Sequence, residues 1–226
     1  LILDLVVNHT SDEHPWFIES RSSKDNPKRD WYIWADPKSD GSEPNNWESI
    51  FNGSTWEYDD TTKQYYFHLF SKKQPDLNWS NPDVREAVFK MMNWWFEKGI
   101  DGFRVDAITH IKKTFEAGDL PVPKGKQYAP AFDVDMNQPG IQTWLQEMKD
   151  KSLSQYNIMT VGEANGVNPD NAEDWVGEDK GKFNMIFQFE HLGLWNTGDV
   201  KFDVKSYKTI LNRWQKKLEN VGWNAL

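Results

Sequence analysis

The 226-residue sequence contains no cysteine and no apolar stretch long enough to cross a membrane. Without cysteine the chain can neither form a disulfide bond nor use a thiol in catalysis. A membrane-spanning helix needs about 20 consecutive apolar residues, and no segment approaches that length. We therefore expect a cytoplasmic protein that does not act in a membrane.

Basic residues are also in the minority. The chain has 26 Lys and Arg against 35 Asp and Glu, which gives a formal net charge of −9. A negatively charged surface repels nucleic-acid phosphates and anionic lipid headgroups. This balance argues against nucleic acid or a membrane surface as a partner.

Three apolar segments end in polar residues, and this pattern is typical of parallel strands. They are residues 1–9, 102–106 and 157–163. In the second segment Arg104 and Asp106 are two positions apart, so they share one face of a strand. Such a pair alone is more often a structural ion pair than part of a catalytic site. Three segments together favour a (β/α) barrel, whose chemistry lies at the C-terminal ends of buried strands.

The segments between these strands predict the remaining organisation. Residues 10–79 lack a helical period and are too long for a loop, so they predict a small inserted domain with a hairpin between residues 54–58 and 65–70. Asn81 and Pro82 are typical of a helix start, and Gly99 of a helix end. Further helices are predicted after Pro139 and from residue 204 to residue 219. A strand is predicted at residues 184–189, and residues 112–137 read as an irregular loop.

Four motifs resemble those of a known family. Residues 4–9 (DLVVNH), 102–106 (GFRVD) and 161–163 (VGE) resemble the third-, fourth- and fifth-strand motifs of the α-amylase superfamily of retaining glycoside hydrolases, family 13. Residues 74–78 (QPDLN) resemble the motif of its oligo-1,6-glucosidase and α-glucosidase branch. The resemblance extends over essentially the whole chain.

The resemblance implies an α/β fold, namely a partial (β/α)8 barrel with about strands 3 to 6 and a β-rich domain inserted after strand 3. Residues 1–9 would form strand 3, residues 10–79 the inserted domain, and residues 80–226 the barrel from helix 3 to the helix after strand 6. The chain would then be an internal fragment, with strands one, two, seven and eight outside it. We expect such a fragment to be inactive by itself.

The resemblance also assigns the catalytic roles. Asp106 would be the nucleophile and Glu163 the general acid and base, the two carboxyl groups that a retaining glycosidase needs about 5 Å apart. Arg104 would keep Asp106 ionised. Glu163 must carry a proton before it can act as an acid, so we expect less charged surroundings for Glu163.

Five further residues would support the substrate or the catalytic pair: Asp4, Asn8, His9, Ala107 and His110. Asp4 would hold Arg104 in place, and His9 would donate a hydrogen bond to a sugar hydroxyl. A lone histidine at a strand end is more often satisfied by backbone groups, and only the surrounding motif favours sugar contact for His9. For His110 a place on the pocket wall and an ordinary loop position remain equally open.

No cofactor and no metal site are predicted within the chain, because the sequence has no EF-hand loop and no histidine or cysteine cluster. The branch commonly carries calcium in a loop near the N-terminus, ahead of residue 1. The expected partner is a small oligosaccharide, and the parent protein is expected to be a monomer.

The function implied is release of glucose from short isomalto- or malto-oligosaccharides by a retaining exo-α-glucosidase. The residue after the nucleophile is typically Val in α-1,6 enzymes, whereas Ala107 leaves α-1,4 cleavage open. Three alternatives remain, which are a sucrose isomerase, a trehalose-6-phosphate hydrolase and a non-catalytic barrel homologue.

Overall fold

The computed structural model describes residues 1–195 and 203–225. Strands and helices alternate along much of this part of the chain. The strands are β1 (Ile2–Val6), β2 (Trp34–Ala35), β3 (Trp56–Asp59), β4 (Gln64–Phe67), β5 (Gly102–Asp106), β6 (Met159–Glu163), β7 (Met185–Phe187) and β8 (Trp223–Ala225). The helices are α1 (Pro15–Ser22), α2 (Pro82–Glu97), α3 (Phe132–Asp135), α4 (Ile141–Lys151), α5 (Glu173–Val176) and α6 (Val204–Leu218).

The chain forms two compact units. The first unit contains Leu1–Leu5, Phe89–His110 and the described residues from Pro139 onward. The second unit contains Val6–Val88 and Ile111–Gln138. Residues 112–137, predicted as a loop, thus belong to the same unit as residues 10–79.

The first unit is built on a five-stranded sheet in the order β1-β5-β6-β7-β8. From β5 to β8 each strand pairs with the next in parallel. Apolar side chains on the strands are buried, among them Phe103, Val105, Val161 and Ile186. Parallel strands with helices between them in sequence make this an α/β fold, as predicted.

The strand count predicted for this unit was one too low. The resemblance implies a strand after α6 that lies outside the chain, but Trp223–Ala225 pairs with β7, with Trp223 opposite Met185. Three residues are too few to show a strand period in the sequence. Strand β8 is therefore defined only by its pairing with β7.

The second unit contains a three-stranded antiparallel sheet in the order β2-β4-β3. The predicted hairpin is confirmed, with Trp56 opposite Phe67 and Asp59 opposite Gln64. Its core holds Trp47 and Phe67 together with Ala131. Phe115 stacks on Trp47 with ring centroids 5.2 Å apart, so residues 112–137 supply part of this core.

Helix α2 begins and ends at the predicted signals. Asn81 Oδ1 accepts a hydrogen bond from the Asp83 amide at 2.9 Å, which satisfies one free donor of the first turn. Gly99, at a φ of 89°, follows the last turn. None of the helices in the described ranges is long and apolar enough to cross a membrane.

Candidate active site

Arg104 lies between three carboxylates at the end of the parallel sheet in the first unit. Its Nη1 donates to Asp4 Oδ1 at 2.8 Å and to Asp106 Oδ1 at 2.7 Å. Its Nη2 lies 2.9 Å from Glu163 Oε2. One guanidinium therefore contacts carboxylates on β1, β5 and β6, since this planar group presents several N–H donors at fixed angles.

Strand register brings Asp106 and Glu163 side by side. In the parallel pairing of β5 with β6, Arg104 lies opposite Val161 and Val105 opposite Gly162. The next positions in that register are Asp106 and Glu163, and their side chains share the face that bears Arg104. Neighbouring strands lie about 4.8 Å apart, close to the separation of about 5 Å that a retaining glycosidase requires between its two carboxyl groups.

The charges in this cluster are partly shielded from water. The side chains of Arg104, Asp106 and Glu163 are 29%, 22% and 27% exposed. Burial by itself lowers the pKa of Arg104, but the hydrogen bond to Asp4, the charge of Glu163 and the hydrogen bond to Asp106 outweigh it, so the pKa of Arg104 is raised. The guanidinium therefore stays charged.

The expectation of less charged surroundings for Glu163 was wrong. Glu163 Oε2 contacts Arg104 and also accepts a hydrogen bond from the Ala107 amide at 3.0 Å. The physical reason is the register of β5 with β6, which places Glu163 beside Asp106. An Arg104 guanidinium that reaches Asp106 therefore also reaches Glu163.

Ala107 and His110 follow β5 directly. Ala107 has a φ of 45°, a left-handed conformation that is uncommon for residues other than glycine, and this turn aims its amide at Glu163. His110 lies on the 3-10 turn Ile108–His110 and is buried, and its amide donates to the Ala107 carbonyl at 3.0 Å.

Asn8 and His9 lie in the second unit, and both are buried. Asn8 Nδ2 donates to Asp76 Oδ2 at 2.9 Å and lies 3.3 Å from His9 Nδ1. Gln74 Nε2 lies 3.0 Å from His9 Nε2. The residues of the QPDLN motif thus pack against the third-strand motif.

Asn8, His9, Gln74, Asp76 and Lys113 form a second cluster. The sequence predicts no role for two of them, Asp76 and Lys113. Lys113 Nζ lies 2.5 Å from Asp76 Oδ2, and their side chains are 1% and 0% exposed. Asp76 stands inside the QPDLN motif, which resembles that of the family branch without indicating a role for Asp76. Lys113 stands in a segment predicted as an irregular loop, where a lysine is normally exposed, so no local signal marked it.

Within residues 1–195 and 203–225, no three His, Cys, Asp or Glu side chains converge in a way that could hold a metal ion. Arg104 instead occupies the space between the carboxylates of the first unit. The chemistry open to that cluster is nucleophilic attack and proton transfer by carboxyl groups beside a fixed positive charge.

Known proteins are similar to this chain in sequence and in structure. The chain matches the family described as "Alpha amylase, catalytic domain" over residues 1–226. It is 63% identical over 227 residues to the probable oligo-1,6-glucosidase 3 of Bacillus subtilis, a match that covers 100% of this chain and 41% of that protein. The chain thus spans less than half the length of this relative.

Two solved structures are similar over the whole chain. A trehalose-6-phosphate hydrolase mutant of Bacillus licheniformis gives a TM-score of 0.91 at 41% identity, covering 100% of this chain and 40% of that one. An isomaltulose synthase mutant of Erwinia rhapontici, solved with its natural substrate sucrose, gives a TM-score of 0.90 at 37% identity. This match covers 100% of this chain and 41% of that one. With the family matched from the first residue to the last, the chain belongs to the α-amylase catalytic-domain family.

Proposed function

We propose that this chain is part of a retaining exo-α-glucosidase, which releases glucose from short α-linked gluco-oligosaccharides. The observation that carries the proposal is the level placement of Asp106 and Glu163 on neighbouring parallel strands, with Arg104 in contact with both. A retaining mechanism needs two carboxyl groups about 5 Å apart, and neighbouring strands can hold them at about that distance.

In the first step Asp106 attacks the anomeric carbon of glucose, and the glycosidic bond breaks as Glu163 gives its proton to the leaving oxygen. A covalent glucosyl ester on Asp106 results. In the second step Glu163 takes a proton from water, the water oxygen attacks the anomeric carbon, and Asp106 leaves as a carboxylate.

Arg104 supports the two steps differently. It stabilises Asp106 as the ionised nucleophile and as the ionised leaving group. Its contact with Glu163 suits the second step, in which Glu163 must be ionised to accept a proton. For the first step we propose that the leaving oxygen of the substrate replaces Arg104 as the partner of Glu163 Oε2.

The supporting roles follow the family resemblance. Asp4 holds Arg104, and their contact at 2.8 Å supports this role. His9 donates to a hydroxyl of the sugar, with Asn8 beside it. Ala107 influences the choice of linkage, and His110 lies against the substrate pocket.

The same proposal covers the finer organisation. The parallel sheet is part of a (β/α)8 barrel, and residues 10–79 are a domain inserted after its third strand. The enzyme works as a cytoplasmic monomer without a nucleic-acid partner. No cofactor is bound by this chain.

The linkage is proposed as α-1,6, because the 63% identical relative is named an oligo-1,6-glucosidase. Ala107 leaves α-1,4 cleavage as the second candidate, since a single side chain at a sugar pocket shifts specificity by only about 1–3 kcal/mol.

The test is to express the polypeptide as its gene encodes it and to measure kcat/KM for glucose release from isomaltose and maltose side by side. Faster isomaltose cleavage supports the α-1,6 proposal, and faster maltose cleavage replaces it with a maltase-type activity. If neither is cleaved, product analysis after incubation with sucrose and with trehalose 6-phosphate separates an isomerase, which forms a new disaccharide, or a phosphosugar hydrolase, which releases glucose, from a non-catalytic protein.

A further inference from the structure

Lys113 and Asp76 form an ion pair that is almost completely shielded from water. Their side chains are 1% and 0% exposed, and Lys113 Nζ lies 2.5 Å from Asp76 Oδ2. Asp76 is further satisfied through Oδ1, which accepts from the Leu69 amide at 2.9 Å. A buried ion pair is weak evidence for stability, because desolvation offsets most of the attraction. A role in orienting a neighbouring group is the alternative.

The neighbouring group is the Asn8 side-chain amide, which touches both members of the pair. Lys113 Nζ donates to Asn8 Oδ1 at 2.9 Å, and Asn8 Nδ2 donates to Asp76 Oδ2 at 2.9 Å. An ammonium group can only donate and a carboxylate can only accept. The two charges therefore fix which way the Asn8 amide faces, with its oxygen toward Lys113 and its nitrogen toward Asp76.

The fixed amide in turn faces the His9 ring. Asn8 Nδ2 carries a second hydrogen and lies 3.3 Å from His9 Nδ1. Gln74 Nε2 lies 3.0 Å from the other ring nitrogen, and Phe70 lies against the ring at a centroid distance of 5.3 Å. Were the Asn8 amide reversed, its oxygen would face His9 Nδ1 and the hydrogen-bonding demand on the ring would change.

The geometry points to Lys113 and Asp76 as positioning residues, which act through Asn8 to set the orientation and hydrogen bonding of His9 for sugar binding. This inference rests on the proposed function, since the sugar contact of His9 is part of that proposal. Neither residue touches the substrate. Their effect on catalysis would pass through one amide.

The test is a charge-neutral double variant, Lys113→Met with Asp76→Asn, in the polypeptide as its gene encodes it. Either single substitution would leave one buried charge without its partner and endanger folding. The double variant removes both charges with little change in side-chain volume, so we expect the thermal midpoint to stay near that of the wild type. The Asn8 amide would lose its fixed direction, and kcat/KM for the cleaved disaccharide should fall about 10- to 100-fold.

The matched control is the pair Arg21 and Asp59 in the same unit. The Asp59 side chain is also fully buried and bonds to Arg21 at 2.6 Å and to Thr62. Arg21→Met with Asp59→Asn should leave kcat/KM unchanged, whatever its effect on the thermal midpoint. If the two double variants lose activity only in proportion to stability, the positioning role is wrong.

A second measurement is independent of turnover. In ¹⁵N-histidine-labelled protein, the ring nitrogen signals of His9, assigned by their loss in His9→Gln, should shift in Lys113→Met with Asp76→Asn and stay in place in the control. Unchanged His9 signals would overturn the inference. A wild type that cleaves no glucoside would refute the proposed function, and the ¹⁵N spectrum would still decide whether Lys113 and Asp76 position His9.

Discussion

The backbone amide of Ala107 donates to Glu163 Oε2 at 3.0 Å, so the residue after the proposed nucleophile is bonded directly to the proposed acid. The left-handed φ of 45° at Ala107 makes this contact. A side-chain change at this position can therefore act on the proposed substrate pocket and on the placement of Glu163 at the same time.

Ala107→Val should raise the ratio of kcat/KM on isomaltose to kcat/KM on maltose, by about tenfold or less, because one added branch in a sugar pocket has a limited effect. It should also lower the free energy of unfolding by about 1–2 kcal/mol, since a β-branched residue is strained at positive φ. The disaccharide assay and denaturant unfolding measure the two effects.

Ala107→Gly is the matched control, because glycine keeps the amide and accepts this backbone conformation. It should leave the substrate ratio unchanged. An equal change of the ratio in both variants would show that linkage preference does not depend on the side chain at position 107.

Asp106→Asn should lower kcat by about four to six orders of magnitude, because an amide cannot form the glucosyl ester. Folding should be little affected, since Arg104 keeps Asp4 and Glu163 as partners. Steady-state kinetics and a thermal melt measure the two quantities. Asp101→Asn, just before the start of β5, is a carboxylate-to-amide control and should keep its activity. A wild-type rate for Asp106→Asn would refute the nucleophile assignment.

Glu163→Gln should affect substrates according to their leaving groups. The glucose that leaves from isomaltose is a poor leaving group and needs a proton, so kcat/KM for isomaltose should fall about 10²- to 10⁴-fold. An aryl glucoside with an acidic phenol needs little protonation and should lose far less in the step that forms the ester. Stopped-flow release of the phenol isolates that step. Equal losses on the two substrates would count against Glu163 as the acid.

The cluster of Asp4, Arg104, Asp106 and Glu163 at the strand ends could be predicted from the sequence, because strand geometry is simple. Arg104 and Asp106 are two residues apart and must share a face, and two buried parallel strands that end in carboxylates bring those ends to one edge. The apolar runs around Asp106 and Glu163 mark the strands. What these patterns could not give is the contact of Arg104 with Glu163, because the register between strands is a tertiary property.

The cluster around Asp76 and Lys113 could not be predicted, because no regular sequence pattern brings its residues together. Asp76 and Lys113 are 37 positions apart, and neither lies on a segment with a helical or strand period. Their burial arises from tertiary packing, and a lone Lys in a polar segment predicts exposure. Strand β8 was missed in the same way, since three residues acquire their conformation from the neighbouring strand.

His68 should make stability depend on pH. It is 6% exposed, and burial lowers its pKa below 6.5 despite the nearby Phe70 carbonyl and the charge of Asp76. Between 6.5 and the lower folded pKa the unfolded chain binds more protons than the folded chain, so stability falls as pH falls through this range. The slope from His68 should reach at most about 1.4 kcal/mol per pH unit.

His68→Asn provides the comparison, because an asparagine amide can still donate to the Phe70 carbonyl but does not titrate in this range. Denaturant unfolding from about pH 8 to about pH 5 should show a smaller slope in this variant than in the wild type. Identical slopes would mean that His68 is protonated equally in both states.

Arg104→Lys should show how much of the activity depends on the planar geometry of the guanidinium and how much on its charge. Lysine keeps the positive charge, but its ammonium cannot bond Asp4, Asp106 and Glu163 from fixed directions as the guanidinium does. We expect kcat/KM to fall about 100-fold through misplacement of the two carboxyl groups proposed as catalytic, those of Asp106 and Glu163. Because the charge remains, the loss should be smaller than in a variant that removes the charge.

Arg104→Met removes the charge as well. The three carboxylates then repel one another with no cation between them, so kcat/KM should fall further than in Arg104→Lys. Arg21→Met, which disturbs a different Arg and Asp pair, is the control and should leave kcat/KM unchanged. Equal losses in Arg104→Lys and Arg104→Met would show that the positive charge contributes nothing beyond the placement of Asp106 and Glu163.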